Sequence, residues 1–312
     1  MSQGNVIAGL LLGLLIVSMA TTAASQTTTQ KEFDSLFVIA SSGEVRFRDM
    51  VEPAIDSIAA MGEEVVPLLI DKFTTKSARE RLTVINILKK IGSAAVPDLV
   101  QALRSLDGLV VQRVCWALGD IKDSAAVEPL IGVCDHSRWQ VREQAIGALG
   151  KIGDHAADHV ILQSFADSIG QVRKAAAVSA GKMGIVDAVP GLVHTLGDEF
   201  YGARLSAMDW LLKIDTAVVV QTLRDSIDSD NSLVGDLGCR VLGRFANLEA
   251  FNILTEQFRS FNRDRRAHAA TAIIEADPMD TCAFRQFLFD REEDELVLLK
   301  MNSAVLTATH AE

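Results

Sequence analysis

The stretch VREQAIGALGKIGD, residues 141–154, decides how this chain is read. Gly147, Gly150 and Gly153 form a G-x-x-G-x-x-G run, close to the glycine pattern that cradles a dinucleotide. That chemistry needs a strand leading into the glycines, and here an acidic loop and a helical pattern stand there instead. The stretch also recurs. Thirty-one residues on lies VRKAAAVSAGKMGI from Val172, and the same phase gives VVQRVCWALGDIKD from Val110 and ARLSAMDWLLKIDT from Ala203. Weaker copies are VGDLGCRVLGRFAN from Val234 and RRAHAATAIIEADP from Arg265. A fixed period of this kind means an array of supersecondary units, so the glycines belong to a repeat and not to a nucleotide site.

Each unit alternates two helical patterns. The first opens with proline near its first turn, where the missing N–H is not needed: Pro67, Pro97, Pro129 and Pro190 sit in VVPLLI, AVPDLV, AVEPLI and AVPGLV. The second is an arginine helix, whose apolar arc around Ala145 takes in Val141, Ala148, Leu149 and Ile152 and extends through small residues. An arc so wide needs neighbours on more than one side, which stacking supplies. Gly150 shares a column with Gly119, Gly181 and Gly243 inside this helix, predicting close backbone approach, since glycine there costs about 1 kcal/mol against alanine. Gly153 and Gly184 fall at the helix end, where a left-handed cap is favoured.

The pattern VRxxAAxALGxIGD…AVPxL resembles HEAT repeats, in particular the short variety of phycobilin lyase subunits. The resemblance covers residues 46–276, with helices at 31–41 and 278–307 adding degenerate end units. It implies an all-α, right-handed α-solenoid of about eight or nine antiparallel helix pairs, whose second helices line the concave face. It also implies that the recurring arginines Arg142, Arg173, Arg204 and Arg266 are structural, each paired with an aspartate in the preceding turn. Asp135, Asp167 and Asp198 stand in that place.

Composition agrees with close-packed helices: 49% of the 312 residues are apolar and only 5% aromatic. A net charge of −11 argues against broad nucleic-acid binding and against anionic membrane surfaces. Cys115, Cys134, Cys239 and Cys282 are far apart and read as free, buried, small apolar residues. The array is expected over 31–307, behind a segment at 1–25 and a polar linker at 26–30, with a tail at 308–312. VIAGLLLGLLIVSMA (6–20) has the length of a signal h-region, and Ala23–Ser25 offers an A-x-S cleavage site. No basic residue precedes Lys31, so a membrane anchor over 6–25 and a buried helix stay open beside a cleaved signal. Export, and an extracytoplasmic array, is the preferred expectation.

Candidate chemistry is sparse. His155 and His159 stand one turn apart around Asp158, but no third ligand is apparent, and surface histidines account better for them. No nucleophile elbow, phosphate loop or C-x-x-C appears, and there is no His-Glu pair such as HEAT-like di-iron hydroxylases carry. Neither metal nor cofactor is expected. Lys151, Lys182, Lys213 and Arg244 recur every 31 residues beside the solvent-facing arc, flanked by Asp120 and Glu275. They predict a cationic stripe for an acidic partner segment, although cations also suit the last turn of any helix. Trp116, Trp139 and Tyr201 are the aromatics expected to reach solvent near that face, whereas Trp210 falls in a core column. The expected function is a non-catalytic scaffold binding a protein or peptide along its concave face. The alternative, implied by the resemblance, is a lyase-like or chaperone-like auxiliary that handles a chromophore or a client enzyme.

Overall fold

The computed structural model describes residues 28–228, 231–245, 247–276 and 289–309. Within them the chain is helical throughout, with no strand. It divides into two compact units, residues 1–129 and 130–312. The segment expected at 1–25 as a signal or anchor lies outside the described residues, as does Cys282. Among the described residues no helix is long and apolar enough to cross a membrane.

In the first unit, helix α1 spans 28–40 and therefore takes in three positions expected as linker. It is followed by α2 (Arg48–Ala60), α3 (Val66–Asp71), α4 (Ala78–Ile91), α5 (Val96–Ala102) and α6 (Gly108–Ile121), while α7 (Val127–Ile131) crosses the boundary between the units. The second unit holds α8 (Trp139–Ile152), α9 (Asp158–Gln163), α10 (Gly170–Met183), α11 (Val189–Thr195), α12 (Tyr201–Leu211) and α13 (Thr216–Ser226). It continues with α14 (Ser232–Phe245), α15 (Leu248–Gln257), α16 (Arg263–Ala276) and α17 (Glu295–Thr309). Residues 290–294 break the helix expected over 278–307, and α17 runs on to 309, into the stretch expected as tail.

The two sequence patterns are the two helices of each pair. Pro67, Pro97 and Pro190 sit in the first turn of α3, α5 and α11, each preceded by a short 3-10 turn. The arginine helices pack on one another, α8 on α10 and α10 on α12, while α14 packs on α16 and α16 on α17. In α8 the buried set is Val141, Ala145, Ile146, Ala148, Leu149 and Gly150. Gly153 at φ 80° and Gly184 at φ 69° end α8 and α10 in the left-handed conformation. Lys122, the same position one repeat earlier, adopts φ 63° with a side chain attached.

The column glycines are where neighbouring helices touch. A Cβ on Gly150 would lie 2.3 Å from Ser179 Oγ, whose hydroxyl donates to Ile146 O at 2.9 Å. One on Gly181 would strike the Trp210 ring at 2.1 Å. A Cβ on Gly243 would meet Ala272 at 3.0 Å. Gly147 has nothing within 4 Å, so it faces open space.

Candidate functional site

Two sets of side chains repeat along the second unit: the arginines at the start of the second helices, and the cations at their ends. The arginines form a relay. Arg142 places Nε 2.7 Å and Nη2 2.9 Å from the two carboxylate oxygens of Asp167, while its Nη1 donates to His136 O at 2.9 Å. Arg173 repeats this with Asp198 at 2.5 and 2.7 Å, and its Nη1 donates to Asp167 O at 2.7 Å. Arg204 Nη1 donates in turn to Asp198 O at 2.6 Å. Arg266 closes the series on Glu292, at 2.9 and 3.3 Å, with Ser260 O at 3.0 Å on the other side.

The expected partner is thus corrected. The carboxylate comes from the turn that leads into the next arginine helix, one unit on, and the arginine's own preceding turn supplies a backbone carbonyl. Asp135 is exposed and acts on Arg142 only through space. The reason is reach: Asp167 Oδ1 also accepts the Ile169 N–H at 2.8 Å, so this carboxylate is fixed by its own turn and faces back at the preceding unit. Burial pushes the Asp167 and Asp198 carboxyls up. The arginine hydrogen bonds and the backbone N–H donors outweigh it and hold both below the usual value.

The cationic column is less even than its spacing. Lys151 is half-buried in the last turn of α8, and Lys182 is exposed in the last turn of α10, the helix packed against it. Lys213 does not lie in α12, which ends at Leu211. It sits in the following turn, with its ammonium 4.1 Å from the centre of the Trp210 ring, and lines an open recess with Asp215, Asn247 and Glu249. Arg244 is exposed in the last turn of α14. Helices α12 and α14 touch only lightly, so the column is continuous across α8 and α10 and breaks after Lys213.

The aromatics divide. Tyr201 is 63% exposed and lies under the Arg204 guanidinium, 5.3 Å from its carbon. Trp116 and Trp139 are half-buried, and the Trp116 indole donates to Asp120 at 3.0 Å. Trp210 is half-buried and not core: its ring covers Gly181, and Lys213 covers the ring. Sequence reading missed this stack, for which the signal was Gly181 facing the next arginine helix.

Other candidate groups are locally engaged. His155 Nδ1 lies 3.0 Å from Asp158, and His159 Nδ1 lies 3.0 Å from Ala156 O, both on the surface. Among the described residues no three His, Cys, Asp or Glu side chains gather as a metal site would need. Cys115, Cys134 and Cys239 are buried, and burial pushes the Cys134 and Cys239 thiols up to about 12. Cys134 and Cys239 therefore stay protonated at neutral pH and are not nucleophiles there.

Residues 96–182 match the model of the family described as HEAT repeats. That stretch carries HEAT repeats. The solved Escherichia coli protein YibA is 14% identical to this chain at a TM-score of 0.50, over 81% of this chain and 96% of that one. Human deoxyhypusine hydroxylase in complex with glycerol is 20% identical over 81% of this chain and 98% of that one, at a TM-score of 0.36. The complex of CpcE and CpcF of phycocyanin lyase from a Nostoc species is 19% identical over 77% and 94%, at a TM-score of 0.40. Identities of this size speak of the fold alone. No curated protein matches the chain.

Proposed function

We propose that this chain is a non-catalytic scaffold that holds an acidic segment of a partner protein along the face of its second helices, the side expected to be concave. The observation that carries this reading is the pair Lys151 and Lys182, placed alike on the packed helices α8 and α10, with Lys213 and Arg244 extending the series. Cys115, Cys134 and Cys239 are buried, and His155 and His159 lie on the surface. A right-handed stack of eight or nine pairs is part of the same reading.

The test is charge reversal of Lys151, Lys182, Lys213 and Arg244 together, followed by capture of partners from the native organism and mass spectrometry. Each exposed pair contributes under about 1 kcal/mol, so the four together change affinity by about ten- to a hundredfold. Salt weakens the contact further, over a screening length of about 8 Å. Loss of capture at unchanged helix content supports the proposal. Retained capture with lower stability refutes it, and leaves Trp116, Trp139 and Tyr201 as the anchors to test. Bilin absorbance on the purified protein would move the reading to a lyase-like auxiliary.

We also place the array outside the cytoplasm, on the strength of the apolar run at 6–20 and the small polar stretch after it. Intact mass decides: a native chain starting near Gln26 supports cleavage, a full-length membrane-bound chain supports an anchor, and a full-length cytosolic chain refutes export.

A further inference from the structure

The arginine series skips one unit. Position 235, between Arg204 and Arg266 in the 31-residue register, is glycine. Arg265 leans into its place from α16, so that a Cβ on Gly235 would lie 2.5 Å from Arg265 Nη2. The substitute is weaker than a true member of the series. Its single carboxylate partner among the described residues, Asp228 at 3.1 Å, is 76% exposed, and its buried Nε finds no hydrogen-bond acceptor there.

Beside it, α14 and α16 are joined by a different chemistry. His268 Nδ1 of α16 lies 3.3 Å from Asp236 Oδ1 of α14 and 2.7 Å from the backbone oxygen of Asp264. Both partners are largely covered, with side chains 32% and 16% exposed. We propose that this contact makes the α14–α16 junction responsive to pH, tighter when the His268 imidazole is protonated and looser when it is neutral.

Two charged groups act on the ring: Asp236 from α14, and Lys300 from α17, which pairs with the Asp264 carboxylate at 3.6 Å. Helix α15 also packs on α16 and presents no charge to the imidazole among the described residues. The hydrogen bond to Asp236 raises the His268 value, against the effects of burial and of Lys300. A raised imidazole value stabilises the fold fully below its unfolded value of 6.5, and the contribution fades as pH rises through the folded value. The Arg142–Asp167 and Arg173–Asp198 links keep their charge over this range. The His268–Asp236 contact therefore titrates in a range where those arginine links do not.

The test is amide hydrogen exchange on the full chain at pH 6 and pH 8, corrected for the intrinsic rate. Amides of α14 and α16 are expected to open about two- to fivefold less often at pH 6, the size of a partly exposed ion pair. Those of α8 and α10 serve as the internal control and stay level. In H268Q and D236N the α14–α16 difference disappears while helix content is kept. Equal opening of wild-type α16 at both pH values overturns the proposal without any variant. So does a difference that survives in both variants.

Discussion

Removing the Asp198 carboxylate probes the arginine relay where it is best covered. The Asp198 side chain is 5% exposed and that of Arg173 is 14% exposed. In Asp198→Ala the guanidinium loses two charge-assisted hydrogen bonds, from Nε at 2.5 Å and Nη2 at 2.7 Å, and the Phe200 N–H loses its acceptor at 2.7 Å. Such bonds contribute about 1.5–3 kcal/mol each, and removing one partner of a covered pair costs about 3–5 kcal/mol. Water reaches the remaining exposed edge of Arg173, so we expect about 3 kcal/mol, or about a hundredfold loss of amide-exchange protection in α10 and α12. Local exchange is the right assay, because stacked repeats need not unfold as one unit.

The control lies next door. Glu199 sits 3.8 Å from the same guanidinium but is 89% exposed, so Glu199→Ala should change protection by less than about fivefold. The double variant Arg173→Met with Asp198→Leu removes both charges and should recover most of the loss, since an apolar pair of similar volume substitutes well for a covered ion pair. The pH dependence has a definite sign. Asp198 has a lowered value, so its contribution is complete above the unfolded 3.8 and is lost as pH falls through the folded value. The gap between wild type and Asp198→Ala is therefore wide at pH 7 and closes in acid. Equal losses in Asp198→Ala and Glu199→Ala would refute the relay as a stabilising device.

Two further outcomes concern glycine. Gly150→Ala drives a Cβ to 2.8 Å from the Ser179 Cα and should destabilise the α8–α10 contact by about 1–3 kcal/mol, partly relieved by Ser179→Gly; Gly147→Ala, in open space, should instead stabilise by up to about 1 kcal/mol in thermal melts. Lys122→Gly should leave stability unchanged or raise it by up to about 1 kcal/mol, because the left-handed backbone strains a side chain there, while Gly153→Ala should lower it by about the same amount.

The sequence by itself determined the unit. Its prolines at helix starts and its glycines at helix ends are local steric preferences, each acting within a single turn of chain and repeated every 31 residues or so. The structure returns them as the first turns of α3, α5 and α11 and the left-handed ends of α8 and α10. The column glycines were readable too, because a residue that weakens a helix recurs only where backbones must approach.

Pairing between units was another matter. Asp135 and Asp167 both stand near an arginine in the sequence, and the choice between them depends on which way a turn aims its carboxylate. The even spacing of Lys151, Lys182, Lys213 and Arg244 likewise concealed that α12 stops two residues before Lys213. A helical wheel assumes that the helix goes on, and it cannot register a neighbour. Only the packed neighbours decided that Trp210 covers Gly181, that Arg265 fills the space over Gly235, and that His268 meets Asp236. Those contacts join residues about 30 apart in the chain, where local preference has no hold and the fit of one helix against the next selects the partner.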